Sequence, residues 1–262
     1  MRVPAWAVAA VLFSGCQAVA QSGSDSIQNS ANNPLTPKSA IQLQDYVQPF
    51  LAGQPGHGAN QGILRTVLPY DIMHVDQLAR ASLPVISNVW GPEGALNGIG
   101  DLTVFSMAVF HLDFGKVGIG PLIVAPTASD PSLGYRKWQA GAQTVISAPH
   151  KWGLTSALTS YQQSFDGKLQ TLVVQPVFYY NLEGGFYLRS TGISSFNFGE
   201  TPNAVVPVGL GLGRATQLAN GTVVNLFVEP QYSVVQAGTG VPSFQIFAGM
   251  VIQFPNAPPR PR

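Results

Sequence analysis

The sequence predicts an all-β protein, a single transmembrane antiparallel β-barrel of twelve strands. Three observations carry that expectation. Charged residues are only 10% of the chain against 45% hydrophobic, whereas a soluble β-protein covers its watered faces with roughly one quarter charge. Beyond the first twenty residues no uninterrupted apolar run reaches the roughly 18 residues a transmembrane helix needs. The remainder breaks into segments of eight to fifteen residues, most alternating with period two, separated by clusters of Gly, Pro, Asn and Asp.

Residues 1–20 read as a secretory signal peptide: Arg2 supplies the basic start, Val3 to Phe13 the apolar stretch, and Ala18-Val19-Ala20 the small-residue cleavage pattern. The mature chain then begins at Gln21. A second processing route competes with this one, because Leu12-Phe13-Ser14-Gly15 leads into Cys16 as at a bacterial lipoprotein site. On that route Cys16 carries a lipid anchor, although Phe13 stands where an aliphatic residue is more usual. Cys16 is the one cysteine in the chain. Cleavage after Ala20 therefore leaves no thiol for a disulfide, a nucleophile or a metal ligand. Residues 21–38 are polar and aperiodic and read as a flexible periplasmic leader; 39–255 form the barrel, and 256–262 a Pro-rich tail.

The candidate strands are 40–50, 61–70, 77–87, 99–112, 116–126, 137–148, 152–165, 170–181, 185–198, 204–217, 221–235 and 243–254. An even number returns both termini to one side, so 77–87 is kept although Pro84 lies inside it. With a periplasmic N-terminus the outer connections are 51–60, 88–98, 127–136, 166–169, 199–203 and 236–242. The inner ones are 71–76, 113–115, 149–151, 182–184 and 218–220. Long outside and short inside is the asymmetry of outer-membrane barrels.

The faces follow from phase. In the last strand Phe244, Ile246, Ala248, Met250, Ile252 and Phe254 form an apolar row for lipid, leaving Gln245, Phe247, Gly249, Val251 and Gln253 inside. Strand 221–235 turns Val224, Leu226, Val228, Pro230, Tyr232 and Val234 outward, and Asn225, Phe227, Glu229 and Gln231 inward. Strand 170–181 sets Gln175, Tyr179 and Asn181 inside. A row of amides, Gly and isolated charges lines a barrel interior better than it faces bulk water. Pro176 and Pro230 each remove a ladder donor, and a bulge or a water contact is expected at both. Gly209-Leu210-Gly211-Leu212-Gly213 puts every glycine on one face, where the strand can bend or accept bulky opposite side chains such as Phe and Tyr. It lacks the spacing of a phosphate loop.

No catalytic constellation is legible. The four histidines form no ligand motif, no serine sits in a Gly-x-Ser-x-Gly elbow, and a net charge of +1 gives no reason to expect nucleic acid. No cofactor or metal is expected, and the chain is not read as an enzyme. The lumen-facing candidates are Arg189, Glu229, Asn225, Gln175, Tyr179 and Gln245, with Asp101 a further interior charge. Arg189 shares a row with Tyr187, Thr191, Ile193 and Ser195, and a midstrand charge against hydrocarbon is costly. Arg189 and Glu229 either shape a pore or tie its wall together; their strands are not neighbours, so a direct pair must reach across 204–217.

Several stretches resemble one family of proteobacterial outer-membrane proteins, named as transporters or after the meta-cleavage pathway of phenol degradation. They are Asn32-Asn33-Pro34-Leu35-Thr36-Pro37, Gln42-Leu43-Gln44-Asp45-Tyr46, Asn60-Gln61, Leu64-Arg65, Leu68-Pro69 and Gly98-Ile99-Gly100-Asp101-Leu102. Val117 to Ala125, with Gly120-Pro121, and Phe247 to Pro255 resemble it too. The resemblance implies a barrel in the cell outer membrane that passes small molecules, hydrophobic or aromatic ones among them, and brings no catalytic residues. The partners implied are outer-membrane lipid, the assembly machinery that reads a final strand ending at Phe254, and a small hydrophobic ligand. The tail after Phe254 departs from the family pattern. The competing readings are a closed structural or surface-interaction barrel, an outer-membrane lipid hydrolase and a secreted soluble sandwich.

Overall fold

In the computed structural model, which describes residues 26–255, the alternating segments close into one wall. The expected signal peptide, Cys16 and the tail 256–262 lie outside the described residues. The strands are β1 (Ala40–Leu51), β2 (Gly58–Ile72), β3 (Val75–Gly91), β4 (Gly94–Gly98), β5 (Leu102–Leu112), β6 (Gly115–Ala125), β7 (Gln139–His150) and β8 (Gly153–Ser164). They continue as β9 (Gln170–Asn181), β10 (Phe186–Ser190), β11 (Ser194–Asn197), β12 (Asn203–Gly209), β13 (Gly211–Gln217), β14 (Val223–Ala237) and β15 (Pro242–Gln253). β10 with β11 form one interrupted stave, as do β12 with β13, and β4 only extends β3 into a hairpin. Because β15 pairs with both β14 and β1, twelve staves close into an all-β antiparallel barrel. Closure leaves no strand edge for hydrocarbon to meet.

Of the bulge or water contact expected at two prolines, the bulge is not formed. Pro176 and Pro230 produce no bulge: Ala157↔Pro176 and Pro230↔Ile246 pair in unbroken register. On its other flank Pro176 falls between Phe178↔Ser190 and Val174↔Ser194, opposite the gap dividing β10 from β11. Pro230 likewise falls between Gln231↔Gly209 and Val228↔Leu212, opposite the gap at Leu210 that divides β12 from β13. A proline lacks one N–H, and here the loss interrupts the neighbouring stave instead of displacing a residue. Register shifts occur elsewhere: around Pro49 in β1, at Pro84 in β3, and where Pro207 of β12 meets β14. Pro84 thus sits inside a long strand with a bulge, and the Gly-rich stretch expected as a loop over 88–98 is the β3–β4 hairpin. The candidate strand 99–112 starts later, at Leu102.

Along β14 phase sorts the side chains as hydrocarbon demands. On β14, Val228, Tyr232 and Val234 are exposed while Asn225, Phe227, Glu229 and Gln231 are buried. Exposed aromatics border the apolar band at both ends, with Tyr70, Phe110, Trp152 and Tyr180 at one and Phe50, Trp138, Phe165 and Phe198 at the other. The first of these ends carries the short turns. Between β2 and β3 both turn residues, Met73 and His74, have positive φ (52° and 67°), the geometry that matches the twist of a two-residue hairpin.

The leader departs most from the expectation. Ser26 caps helix α1 (Ile27–Asn32) by accepting from the Asn29 N–H at 3.1 Å, and Asn33-Pro34 stops it. Its amides reach the wall: Asn29 Nδ2 donates to the His150 carbonyl (3.0 Å), Gln28 Nε2 to that of Leu182 (3.0 Å), and Gln253 Nε2 to that of Ala31 (3.1 Å). Leu35, 1% exposed, packs with Met107 in the core of the lumen. Residues 26–38 therefore form a plug in the short-turn mouth, held by polar contacts that hydrophobic periodicity does not register.

Val228→Arg or Leu210→Arg, on the lipid face, is expected to lower folding stability in vesicles by about 2–4 kcal/mol near the midplane. Gln162→Arg, facing the lumen, is expected to cost clearly less. Folded fractions read from gel mobility without boiling check this, and equal losses on both faces would refute the register.

Candidate functional site: the lumen

The interior is built over a stave whose inward positions 209, 211 and 213 are all glycine. Arg189 on β10 pairs with Gly211, and Tyr187 with Gly213, while β14 borders the same stave on its other side. A Cβ on Gly211 would lie 2.6 Å from that of Glu229, and one on Gly213 would fall within the Tyr187 ring. With the glycines bare, side chains from the two flanking staves meet over them. Arg189 Nε donates to Glu229 Oε2 at 2.7 Å, and the Tyr187 hydroxyl donates to Asn225 Oδ1 at 2.6 Å.

Around this crossing every acceptor position of Glu229 is used. Its Oε2 also accepts from Thr191 Oγ1 (2.7 Å), and its Oε1 from the Thr191 N–H (2.8 Å) and Gln231 Nε2 (2.8 Å). Arg189 Nη2 donates to Thr191 Oγ1 at 2.7 Å, and the guanidinium lies over the Phe227 ring at 3.6 Å. Gln245 donates to Gln231 Oε1, and Gln48 in turn to Gln245. Gln175 donates to the Thr191 carbonyl at 3.0 Å, in the gap between β10 and β11. Tyr179 lies edge-on to Tyr187, their centroids 5.4 Å apart. Arg189, Glu229, Asn225, Gln175, Tyr179 and Gln245 thus share one side of the interior, with Arg189 and Glu229 closed on each other and 3% and 0% exposed. A pair with such partners is stable in place, and removal of either charge strands the other.

Most of the remaining space lies on the opposite side, the smallest cavity alone running along Arg189 and Asn225. A cavity of about 500 Å³ at the long-loop end is lined by Gln48, His57, Asn60 and Trp90. Leu133 and Ser132, from the connection 126–138, separate it from a central cavity of about 600 Å³. That connection is held down by Asp101, whose carboxylate accepts from the N–H groups of Ala128 and Arg136, each at 3.0 Å. Below the central cavity a smaller one, about 130 Å³, reaches the plug. The two lower cavities share Arg65, Arg80, Leu158 and Gln175, which form the neck between them. Arg65 and Arg80 were not among the expected lumen residues. The signal was in the phase of β2 and β3, where Arg65 alternates with Ile63 and Val67, and Arg80 with Leu78 and Ser82.

The outer loops carry their own clasp. Lys137 Nζ donates to Asp166 Oδ2 at 2.7 Å, and Lys168 meets Glu200 at 3.1 Å. Hydrogen bonds from Lys137, then Ser164 and the Lys168 N–H, hold the Asp166 carboxyl well below the usual aspartate range, and Glu200 raises Lys168. Among the described residues no three His, Cys, Asp or Glu side chains gather as a metal site. The ring nitrogens of His57, His111 and His150 contact Pro55, Asp76 and Thr155, so none of these contacts supplies the Ser and His pair of a hydrolase.

Glu229→Gln is expected to destabilise the folded barrel by about 3–5 kcal/mol, because it leaves the Arg189 guanidinium buried without its counter-charge. The double variant Arg189→Met, Glu229→Leu is expected to lose less than the two single changes together, as denaturant titration of tryptophan fluorescence would report; strict additivity would refute the coupling. For Asp166, a depressed carboxyl stabilises the clasp above the unfolded aspartate pKa, and the gain fades as pH falls through the lowered value. Its carboxyl ¹³C titration is expected to lie below that of a free aspartate and to move up in Lys137→Met.

No protein-family model and no curated protein sequence matches this chain. Among solved structures it is similar to the crystal structure of the COG4313 outer membrane channel from Pseudomonas putida F1, with a TM-score of 0.65 at 15% identity over 84% of this chain and 97% of that one. The β-domain of the Bordetella autotransporter BrkA covers 83% of this chain and 100% of its own at 14% identity, but its TM-score of 0.41 is too low to bear on the fold. The chain has a twelve-stranded outer-membrane β-barrel fold of the kind seen in that channel.

Proposed function

We propose that the protein is an outer-membrane channel for small molecules, hydrophobic or aromatic ones among them. The observation that supports this reading best is the run of cavities through the lumen, about 500, 600 and 130 Å³. A barrel serving only as a scaffold has no need of such space. The cargo reading draws on the central cavity's mixed wall, where Phe105, Leu122, Val124 and Leu158 stand with Gln139, Gln143 and Gln162. Such a wall suits a compact molecule with an apolar body and one polar end. It also agrees with the resemblance to the family named after phenol degradation. The same lumen has two covers, Leu133 with its loop at one end and the plug of residues 26–38 at the other. Passage then requires one or both to move.

A closed structural barrel is the second reading, favoured by the plug itself, since Leu35 and α1 fill the short-turn mouth. Conductance in planar bilayers separates the two. The full chain is expected to give small, discrete openings, and deletion of Ser26 to Leu35 to raise conductance several-fold while the barrel still runs as a folded species on gels. Absence of conductance from both proteins, with no swelling of vesicles in small solutes, would overturn the channel reading. The protein is also expected to fractionate with the outer membrane, and recovery in the soluble periplasm would overturn the location.

A further inference from the structure

The neck between the two lower cavities carries two cations that no carboxylate among the described residues contacts, Asp101 in the central cavity wall being turned to backbone N–H groups instead. Arg189 is matched by Glu229, but among the described residues neither Arg65 nor Arg80 has a carboxylate within ion-pair distance. Arg65 Nε donates to Ser82 Oγ at 3.1 Å. Arg80 lies over the Phe105 ring at 4.3 Å, and its Nε is buried without a hydrogen-bond partner. They sit on adjacent staves, where Arg65 pairs with Ser82 and Arg80 with Val67, so both heads enter the lumen one step apart on the same face. Two like charges confined together repel, and a buried guanidinium with an unused N–H is costly, unless a counter-charge is present.

We infer that Arg65 and Arg80 form a binding site for the carboxylate of a small organic acid, whose apolar body rests against Phe105, Leu122 and Leu158 in the central cavity. The inference rests on the proposed channel function and names a class of cargo within it. A planar guanidinium presents N–H groups spaced for a carboxylate, and two of them offer more donors than one carboxylate needs. The cation over Phe105 holds Arg80 in place while leaving its outer edge free. Chloride or acetate satisfies the charge but not the apolar wall, and a neutral alcohol of the same body satisfies the wall but not the charge. The neck therefore selects for both features together. A fixed positive pair at a constriction also favours anions over cations in any current that passes.

The test uses the full chain in lipid vesicles and planar bilayers, with benzoate, benzyl alcohol and acetate as probes. Calorimetric titration is expected to show benzoate binding at least tenfold tighter than acetate or benzyl alcohol, with that preference lost in Arg65→Gln and Arg80→Gln and largely kept in Arg80→Lys. In a potassium chloride gradient the parent's reversal potential is expected to lie on the anion side and to move toward zero in either Gln variant. Gel mobility without boiling confirms that each variant is folded; should a Gln variant fail to fold, the parent's selectivity and the remaining variants still decide. A conducting parent that is unselective or cation-selective and binds benzoate no better than benzyl alcohol would overturn the site while leaving the channel standing. A parent that binds benzoate through these arginines while neither it nor the plug-deleted chain conducts would keep the site and overturn the channel. Failure of both measurements would overturn both.

Discussion

A wall that faces hydrocarbon must satisfy each of its backbone N–H and C=O groups from within the protein, and that demand organises this barrel. Pairing of β15 with β1 meets it around the circumference. The prolines test it locally. At Pro176 and Pro230 the ladder keeps its register on one flank and opens on the other, and opposite Pro176 the opened backbone is taken up by side chains from inside: Thr191 gives its N–H to Glu229 and its carbonyl to Gln175. The polar lumen thus completes hydrogen bonding that the sheet leaves undone. Glu229 and Gln175 meet the open backbone at Thr191 for this reason.

The glycine stave makes the buried pair possible. In a barrel with side chains on every inward position, residues two staves apart are kept apart by the row between them. Gly211 and Gly213 remove that row, so Arg189 meets Glu229 and Tyr187 meets Asn225 across a bare backbone. Deep burial then raises the cost of imperfection, and the network answers with a partner at each Glu229 lone pair. One side of the lumen becomes a solid, charge-balanced belt. Most of the space lies away from it, beside the two unpaired arginines. The asymmetry between a filled half and an open half is the interior's main feature, and it arises from the placement of glycine along a single stave.

How much of this could be read beforehand depended on which signal carried it. Period-two alternation was sufficient for the staves and for the outward rows of β14 and β15, because lipid contact leaves an uninterrupted apolar run. The phase of 185–198 was enough to turn Arg189 inward, and the all-glycine face between Gly209 and Gly213 marked room for large neighbours. The meeting of Arg189 with Glu229 needed the register of three staves, which alternation does not supply. Arg65 and Arg80 are midstrand charges in phase with aliphatic residues, and the short mixed rows they belong to give a weaker inward signal than the long apolar rows of β14 and β15. The plug was illegible for a different reason: its contacts are amide to carbonyl, as from Asn29 to His150 and Gln28 to Leu182, and such contacts leave no period in the residues that make them.

The partners of that N-terminal segment also fix a sequence of events. Ser26 and Asn29 are contacted by Asn181, Asn32 by Asn225, and the carbonyls of Ser30 and Ala31 by Gln253, which lies 223 and 222 residues further along the chain. Those groups come together only once β15 has reached β1. The first described residues to leave the ribosome are accordingly among the last to make all their native contacts, and an incomplete barrel presents them with only part of their seat. A correctly docked α1 is thereby a molecular record that the circle has closed, written by the start of the chain upon its end.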